Sequence, residues 1–550
     1  LRLINHRKRL AVVPIPSVLA LAAALGLAAP ATSAAVTISP LPGTPTALPH
    51  TQISFLGASA RSLRRISVVG SSSGRHAGRL RSYASATGAS FLPRKPFTPG
   101  ERVTVIARIR GAKRLRTLST HFTVARSVAP PSGSFPTAPG TPADVQSFQS
   151  MPALHPPRVT VHQPAGPSSS PGYLFAAPFF GPGRWGPMIF DNAGNLAWFR
   201  QLPPGEDAAD FHTLPFRGNT DLTWWQGHTY ILGYGRGEFV IANSNYKTVA
   251  AVRGGNGLEA DEHDFLVTPR GSAYVLAYSP VQENLSGAGG PANGNAVDCV
   301  LQEIDVHTGL VMWEWHSLGH VALSDSYSKP PTVSSGYYDY FHVNSLATDS
   351  RGNILISARN TWALYDLNPH TGTILWRLGG KKSTFAMGPG VQFAYQHNAL
   401  WLPNGEISLF DDEGAPPIRP PSRGEFVELD FKSKTATLAG QLVRTPGPLI
   451  TNSQGNLQSL PGGNWMIGWG GLPNFTEFDA AGKVIYDGQL PTGEFSYRVY
   501  REPWSGQPGD PPAVKATMRG ATMAVYASWN GATRVASWQL LSGASAAHLA

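Results

Sequence analysis

A short hairpin recurs through most of this chain: an apolar residue, often an acid, a turn containing Gly, then an apolar strand. It reads as Ile189-Phe-Asp-Asn-Ala-Gly-Asn-Leu-Ala-Trp198 and as Ile304-Asp-Val-His-Thr-Gly-Leu-Val-Met-Trp313. Tyr365-Asp-Leu-Asn-Pro-His-Thr-Gly-Thr-Ile-Leu-Trp376 and Phe478-Asp-Ala-Ala-Gly-Lys-Val-Ile-Tyr486 repeat it, with weaker copies from Ile241 and Leu429. A second hairpin alternates with the first, at Val267 to Tyr274, Ala347 to Ile354, Leu402 to Ile407 and Leu460 to Trp465, and more loosely at Pro215 to Asn219. Two hairpins per unit make four strands, which is what a propeller blade requires. Six such units predict an all-β fold with a six-bladed β-propeller over residues 172–505.

Composition agrees with many short strands. The 59 Gly and 48 Pro against 14% charged residues favour turns over long helices. At 550 residues the chain is too long for one ordinary compact domain. Alternating runs such as Arg102-Val-Thr-Val-Ile-Ala-Arg-Ile109 predict a small Ig-like β-sandwich over 36–127, preceding the propeller. Residues 128–171, rich in Pro, Ser and Gly, read as a linker or a wrapped extended segment. The segment 506–550 is expected to carry a C-terminal hairpin around Asn530-Gly531, closing the ring or packing beside it.

Residues 1–35 have the pattern of an export signal, with Arg2, Arg7, Lys8 and Arg9 before an apolar run and small residues near Ala35. The expected location is therefore secreted or in the cell envelope, with a retained anchor as the alternative. The single cysteine, Cys299, allows no intramolecular disulfide and reads as a buried small hydrophobe. Charge is unevenly divided: up to Arg126 there are 19 Lys and Arg against Glu101 alone, whereas the remainder is mildly acidic. Nucleic acid is a poor partner for an exported chain. Contact of the basic domain with anionic envelope polymers, or a merely solvated basic face, is the expectation.

Aligning the units on the Gly of the second hairpin brings three histidines into register. His263 lies eight residues before Gly271, His397 eight before Gly405, and His342 ten before Gly352. Innermost strands line a propeller's channel, so the three are expected to share one space, each beside polar neighbours: Glu262 and Asp264, Asn344, Gln396 and Asn398. Arg359, on the strand after His342, reaches the same place. Converging histidines suit a metal, or acid–base and nucleophilic chemistry. An arginine among them favours an anionic group over a metal. No metal and no cofactor is expected.

The ordered set His263-Asp-Phe, Phe341-His-Val-Asn-Ser345, Ser357-Ala-Arg359, Trp376-Arg-Leu-Gly-Gly380, Gln396-His-Asn398 and Leu409-Phe-Asp-Asp412 resembles the carrier-independent arylsulfotransferases, over about residues 170–500. The resemblance implies an exported six-bladed propeller that moves a sulfuryl group from a phenolic sulfate donor to a phenol acceptor. It implies His397 as the nucleophile of a ping-pong route through sulfohistidine, and His342 as the acid and base. His263, Asn344 and Arg359 would hold the sulfonate. Two alternatives stand beside it. One is an envelope-binding propeller without catalysis. The other is a quinone-dependent dehydrogenase, whose Trp-containing repeat the turns before Trp313 and Trp376 resemble.

Overall fold

The computed structural model describes residues 2–4, 36–110, 114–133 and 135–543. Strands and short 3-10 turns are the only regular elements among them. No helix there is long and apolar enough to cross a membrane.

Alternating apolar residues build two four-stranded sheets from residues 37–123. One is ordered Thr37–Ser39, Ile53–Leu56, Gly88–Pro93, Gly78–Ser82; the other Gly74–Arg75, Leu63–Gly70, Arg102–Arg110, Leu115–Thr123. Strand Arg102–Arg110 alternates strictly between exposed and buried positions. Its Val103, Val105 and Ala107 join Ile53, Phe55, Phe91 and Phe122 in one core. This unit sits on the 265–316 sheet. Ala84 and Ser85 donate their backbone N–H groups to Asp305 at 2.7 and 2.8 Å, and Thr46 donates to Asp298 at 2.6 Å.

Pairs of hairpins make four antiparallel strands over each of 207–253, 265–316, 343–379, 397–442 and 456–489; Tyr337–Tyr338 and Ala386–Met387 add a fifth, parallel strand to the second and fourth sheets, and Thr160–Gln163 an antiparallel one to the last. A sixth sheet combines strands from 173–199 with a distant one, Phe495–Glu502, which pairs with Tyr173–Phe179. Neighbouring sheets share no ladder. They are joined by side chains at one edge strand of each. Asp264 accepts the N–H of Leu346, Ser345 that of Ala399, Asn398 that of Leu457 and Asn456 that of Val499, at 2.7 to 3.0 Å.

The six-bladed propeller expected from the sequence is corrected here. The strands form ten separate sheets among the described residues, and none closes on itself. Hairpin periodicity specifies four-stranded sheets; it does not specify closure, because ladder bonds stop at each sheet's last strand. The all-β content stands.

Three further regions differ in detail. Of the export leader expected over 1–35, only Arg2–Ile4 is described, as a strand paired with Gln539–Leu541, so the leader finds no support; residues 5–35 lie outside the described residues. Segment 128–171 is wrapped rather than free: Val128 bonds to Pro280, Gly133 accepts from Ile231, and Thr160–Gln163 pairs with Val484–Gln489. The C-terminal hairpin joins Ala513–Arg519 to Thr522–Ser528 around Gly520, as a separate two-stranded sheet. Asn530 instead caps the 173–199 sheet, bonding both backbone groups of Phe199 at 2.9 Å.

Candidate active site

The three histidines stand where edge strands of three sheets begin. His263 precedes Phe265–Val267, His342 precedes Val343–Thr348, and His397 opens His397–Trp401. The local backbone is unusual. His342 has φ +56° and Asn398 φ +50°, and the pairing register slips between Val343 and Ser345 and again between His397 and Leu400. Bulges of this kind turn a strand's first side chains off the regular alternation and aim them elsewhere. A left-handed residue other than Gly costs about 1–3 kcal/mol, so packing must enforce it.

The side chains so aimed share a cavity of about 540 Å³, lined by His263, His342, His397 and Arg359. The rings of His263 and His342 lie 4.9 Å apart, nearly perpendicular. The ring of Tyr497 lies 5.3 Å from that of His263 and 6.3 Å from that of His397. Phe135, Phe179, Phe180, Ile231 and Phe495 supply an apolar wall. Phe135 comes from the wrapped segment and packs 5.3 Å from Phe180.

Every histidine in the cavity gives Nδ1 to a carboxylate: His263 to Asp261 at 2.5 Å, His342 to Asp339 at 2.5 Å, His397 to Asp412 at 2.7 Å. Nε2 of His397 accepts the backbone N–H of Gln454 at 3.2 Å. That pair of contacts fixes one tautomer, with the proton on Nδ1 and a lone pair on Nε2. Burial, then the charge of Arg359, with His263, His342 and Arg498 beyond it, pushes His397 well below its ordinary pKa. Burial likewise lowers His342, although Asp339 opposes it. Both rings are neutral near pH 7.

Arg359 is the cation of the cavity. Its guanidinium donates to Asn452 O at 2.9 Å and to Asn360 at 3.0 Å, and lies 4.8 Å over the Tyr395 ring. Among the described residues it forms no ion pair, which leaves its charge for an anion. Asn344 is placed differently. It is fully buried, its amide donates to Gln396 O at 2.8 Å, and it does not line the cavity.

Beneath the cavity, Arg498 is buried between Asp210 at 3.0 Å and Asp264 at 3.3 Å, and donates to Asn344 O. Sequence reasoning did not find Asp261, Asp339 or Tyr497 as site residues. Asp264 and Asn398 were expected only as neighbours of the imidazoles, and Asn344 also as a group that holds the sulfonate. In the structure Asp264 and Asn398 instead hold adjoining sheets together. Among the described residues, no group of three or more His, Cys, Asp or Glu is placed to hold a metal ion.

A comparison with protein families matches residues 214–490 to the model described as arylsulfotransferase (ASST), which spans His263, His342, Arg359, His397 and Asp412. The chain belongs to the arylsulfotransferase family. The match does not extend to the exported six-bladed propeller type that the sequence resembles, since the sheets remain open and separate. No curated protein matches this arylsulfotransferase-family chain.

Solved structures are only remotely similar. A Bacteroides caccae protein of unknown function is 13% identical, covering 60% of this chain and 98% of its own, with a TM-score of 0.37. A quinonprotein alcohol dehydrogenase-like protein from Bacteroides thetaiotaomicron is 9% identical, covering 84% and 96%, with a TM-score of 0.28. A Lactobacillus plantarum protein is 10% identical, covering 79% and 98%, with a TM-score of 0.30. None bears on the fold or function of this arylsulfotransferase-family member.

Proposed function

We propose that this protein transfers a sulfuryl group from a phenolic sulfate ester to a phenol, through a sulfohistidine at His397. The observation that carries this reading is the His397 ring itself. It is neutral, held through Nδ1 by Asp412, and presents Nε2 to a cavity that also contains an unpaired arginine. A neutral nitrogen nucleophile beside a fixed cation suits attack on an anionic sulfuryl centre.

In the first step Nε2 of His397 forms a bond to sulfur and the sulfur–oxygen bond to the phenol breaks. The departing phenolate takes a proton from His342. Burial keeps His342 neutral in the free protein; the negative sulfate ester, once bound, favours its imidazolium. In the second step neutral His342 takes the proton of the acceptor phenol, whose oxygen attacks sulfur and releases His397. Arg359 holds the sulfonate oxygens throughout, with His263 beside it as an imidazolium donor when the anion is bound, and the aromatic wall takes the ring.

Mass spectrometry of the protein mixed with p-nitrophenyl sulfate tests this. A sulfuryl-sized gain located on His397, absent in His397→Ala and discharged by added phenol, is the expected result. A folded protein that gains no mass and releases no nitrophenol overturns it.

A further inference from the structure

We propose that Glu262, together with Thr229, reads a second hydroxyl group on the aromatic substrate, so that the preferred substrates are dihydroxylated or polyhydroxylated aromatics. The inference rests on the sulfuryl-transfer reading of the same cavity and specifies its substrate class.

Glu262 lines the cavity, as do its hydrogen-bond partner Thr229 and the nearby chain positions Ile231 and Leu232. It occupies the centre of the run Asp261-Glu262-His263-Asp264, whose other members are committed. Asp261 holds the His263 ring and accepts the N–H of Gly235 at 2.7 Å; Asp264 holds Leu346 and Arg498. Glu262 has no such duty. Oε2 accepts the Thr229 hydroxyl at 2.6 Å, and Oε1 makes no hydrogen bond to protein among the described residues. The sulfuryl chemistry uses His397, His342, His263 and Arg359 and leaves this carboxyl unused.

An ionised carboxylate here would repel the sulfate that the cavity is proposed to bind. Burial first, and then Asp261, pushes the Glu262 carboxyl well above its ordinary pKa, against the bond from Thr229. Glu262 is therefore a neutral acid, able both to donate and to accept. A ring hydroxyl also donates and accepts, so the two are complementary. Ile231 and Leu232, which line the same cavity, add apolar surface that disfavours a charged substituent. A site built to bond a hydroxyl discriminates strongly against the analogue that lacks it, because the buried polar atom is then left unpaired.

The experiment compares kcat/KM for a dihydroxybenzene and for phenol as acceptors, with p-nitrophenyl sulfate as donor. It uses the wild type, Glu262→Gln and Glu262→Leu. A wild-type preference for the diol of about tenfold or more is expected, lost in Glu262→Leu and partly kept in Glu262→Gln, whose amide still donates and accepts. An equal ratio in all three proteins overturns the assignment. If the wild type never labels His397, the transfer reading fails instead. Calorimetric binding of the diol against phenol, to wild type and Glu262→Leu, then decides the Glu262 assignment alone: a difference that the substitution abolishes supports it, and no difference in the wild type, or one that survives the substitution, overturns it.

Discussion

The backbone N–H of Gln454 points at Nε2 of His397 from 3.2 Å, on the opposite edge of the ring from Asp412. The lone pair on Nε2 therefore depends on the proton that Asp412 holds at Nδ1. In Asp412→Asn the amide can donate to Nδ1 and favour the other tautomer. The expected outcome is a loss of about 10²–10⁴-fold in the burst of nitrophenol release, as for a wrongly protonated catalytic imidazole elsewhere. Circular dichroism should show the fold intact. A burst within twofold of wild type would mean that Asp412 does not orient the ring.

Arg359 should matter most for the anionic part of the substrate. Charged hydrogen bonds are worth about 1.5–3 kcal/mol, so Arg359→Ala should lower kcat/KM for aryl sulfates by about ten- to hundredfold. Lysine keeps the charge without the planar fork and should restore only part of it. Steady-state kinetics of both variants checks this, and full activity in Arg359→Lys would reduce the arginine to a point charge.

The pH profile follows from the depressed His397. An ordinary imidazole protonates near pH 6.5 and ceases to be a nucleophile below it. Burial and the charge of Arg359 move that transition lower in the folded protein. Sulfuryl uptake should therefore persist as pH falls through 6.5 and fail only further down. Rapid-quench labelling across that range is the measurement; a midpoint at or above 6.5 would contradict the electrostatics. The sign for stability is the same: the contribution from burying neutral His397 is present above the unfolded value and is lost as pH falls below it.

His316 behaves in the opposite sense. Burial opposes its charge, but Asp298 at 2.7 Å and Glu314 at 3.0 Å outweigh burial and push it up to about 10. Its folded value lies above the unfolded one, so its stabilisation is complete below about pH 6.5 and is lost as pH rises through about 10. His316→Gln should lose on the order of 3 kcal/mol at pH 6, since two buried carboxylates lose a cation. Urea unfolding of both proteins from pH 6 to pH 10 should show the gap closing with rising pH. A gap that widens would reverse the assignment.

Arg498→Met leaves Asp210 and Asp264 buried without their counter-ion. Removing one partner of a buried pair costs about 3–5 kcal/mol. A lowered denaturation midpoint is expected, and replacing both aspartates by Asn in the same background should recover part of it. No change in the midpoint would show that solvent reaches these groups.

What the sequence disclosed about this chain has a physical boundary. Hairpins are local, and a Gly turn between apolar runs is enough to write one, so the four-stranded sheets could be read directly. The shared cavity of His263, His342 and His397 followed because similar offsets from equivalent turns, eight residues for two and ten for His342, land on equivalent strand ends. Their carboxylates were not legible. Asp261 lies two residues before its histidine, Asp339 three before, and Asp412 fifteen after, so no spacing repeats. Tyr497 and Arg498 arrive on a strand that pairs more than 300 residues away, and no local pattern marks such a partner. Closure into a ring was inferred from repetition alone, and ladder bonds confined to separate sheets do not carry it.

Because Phe495–Glu502 completes the sheet begun by Tyr173–Phe179, the cavity gains Tyr497 and its Arg498 support only after more than 300 further residues have been made. A nascent chain released short of residue 495 has all three histidines without the ring that lies near two of them. One strand thus ties two distant parts of the chain together, since Phe495–Glu502 both completes the sheet begun by Tyr173–Phe179 and brings Tyr497 to the cavity.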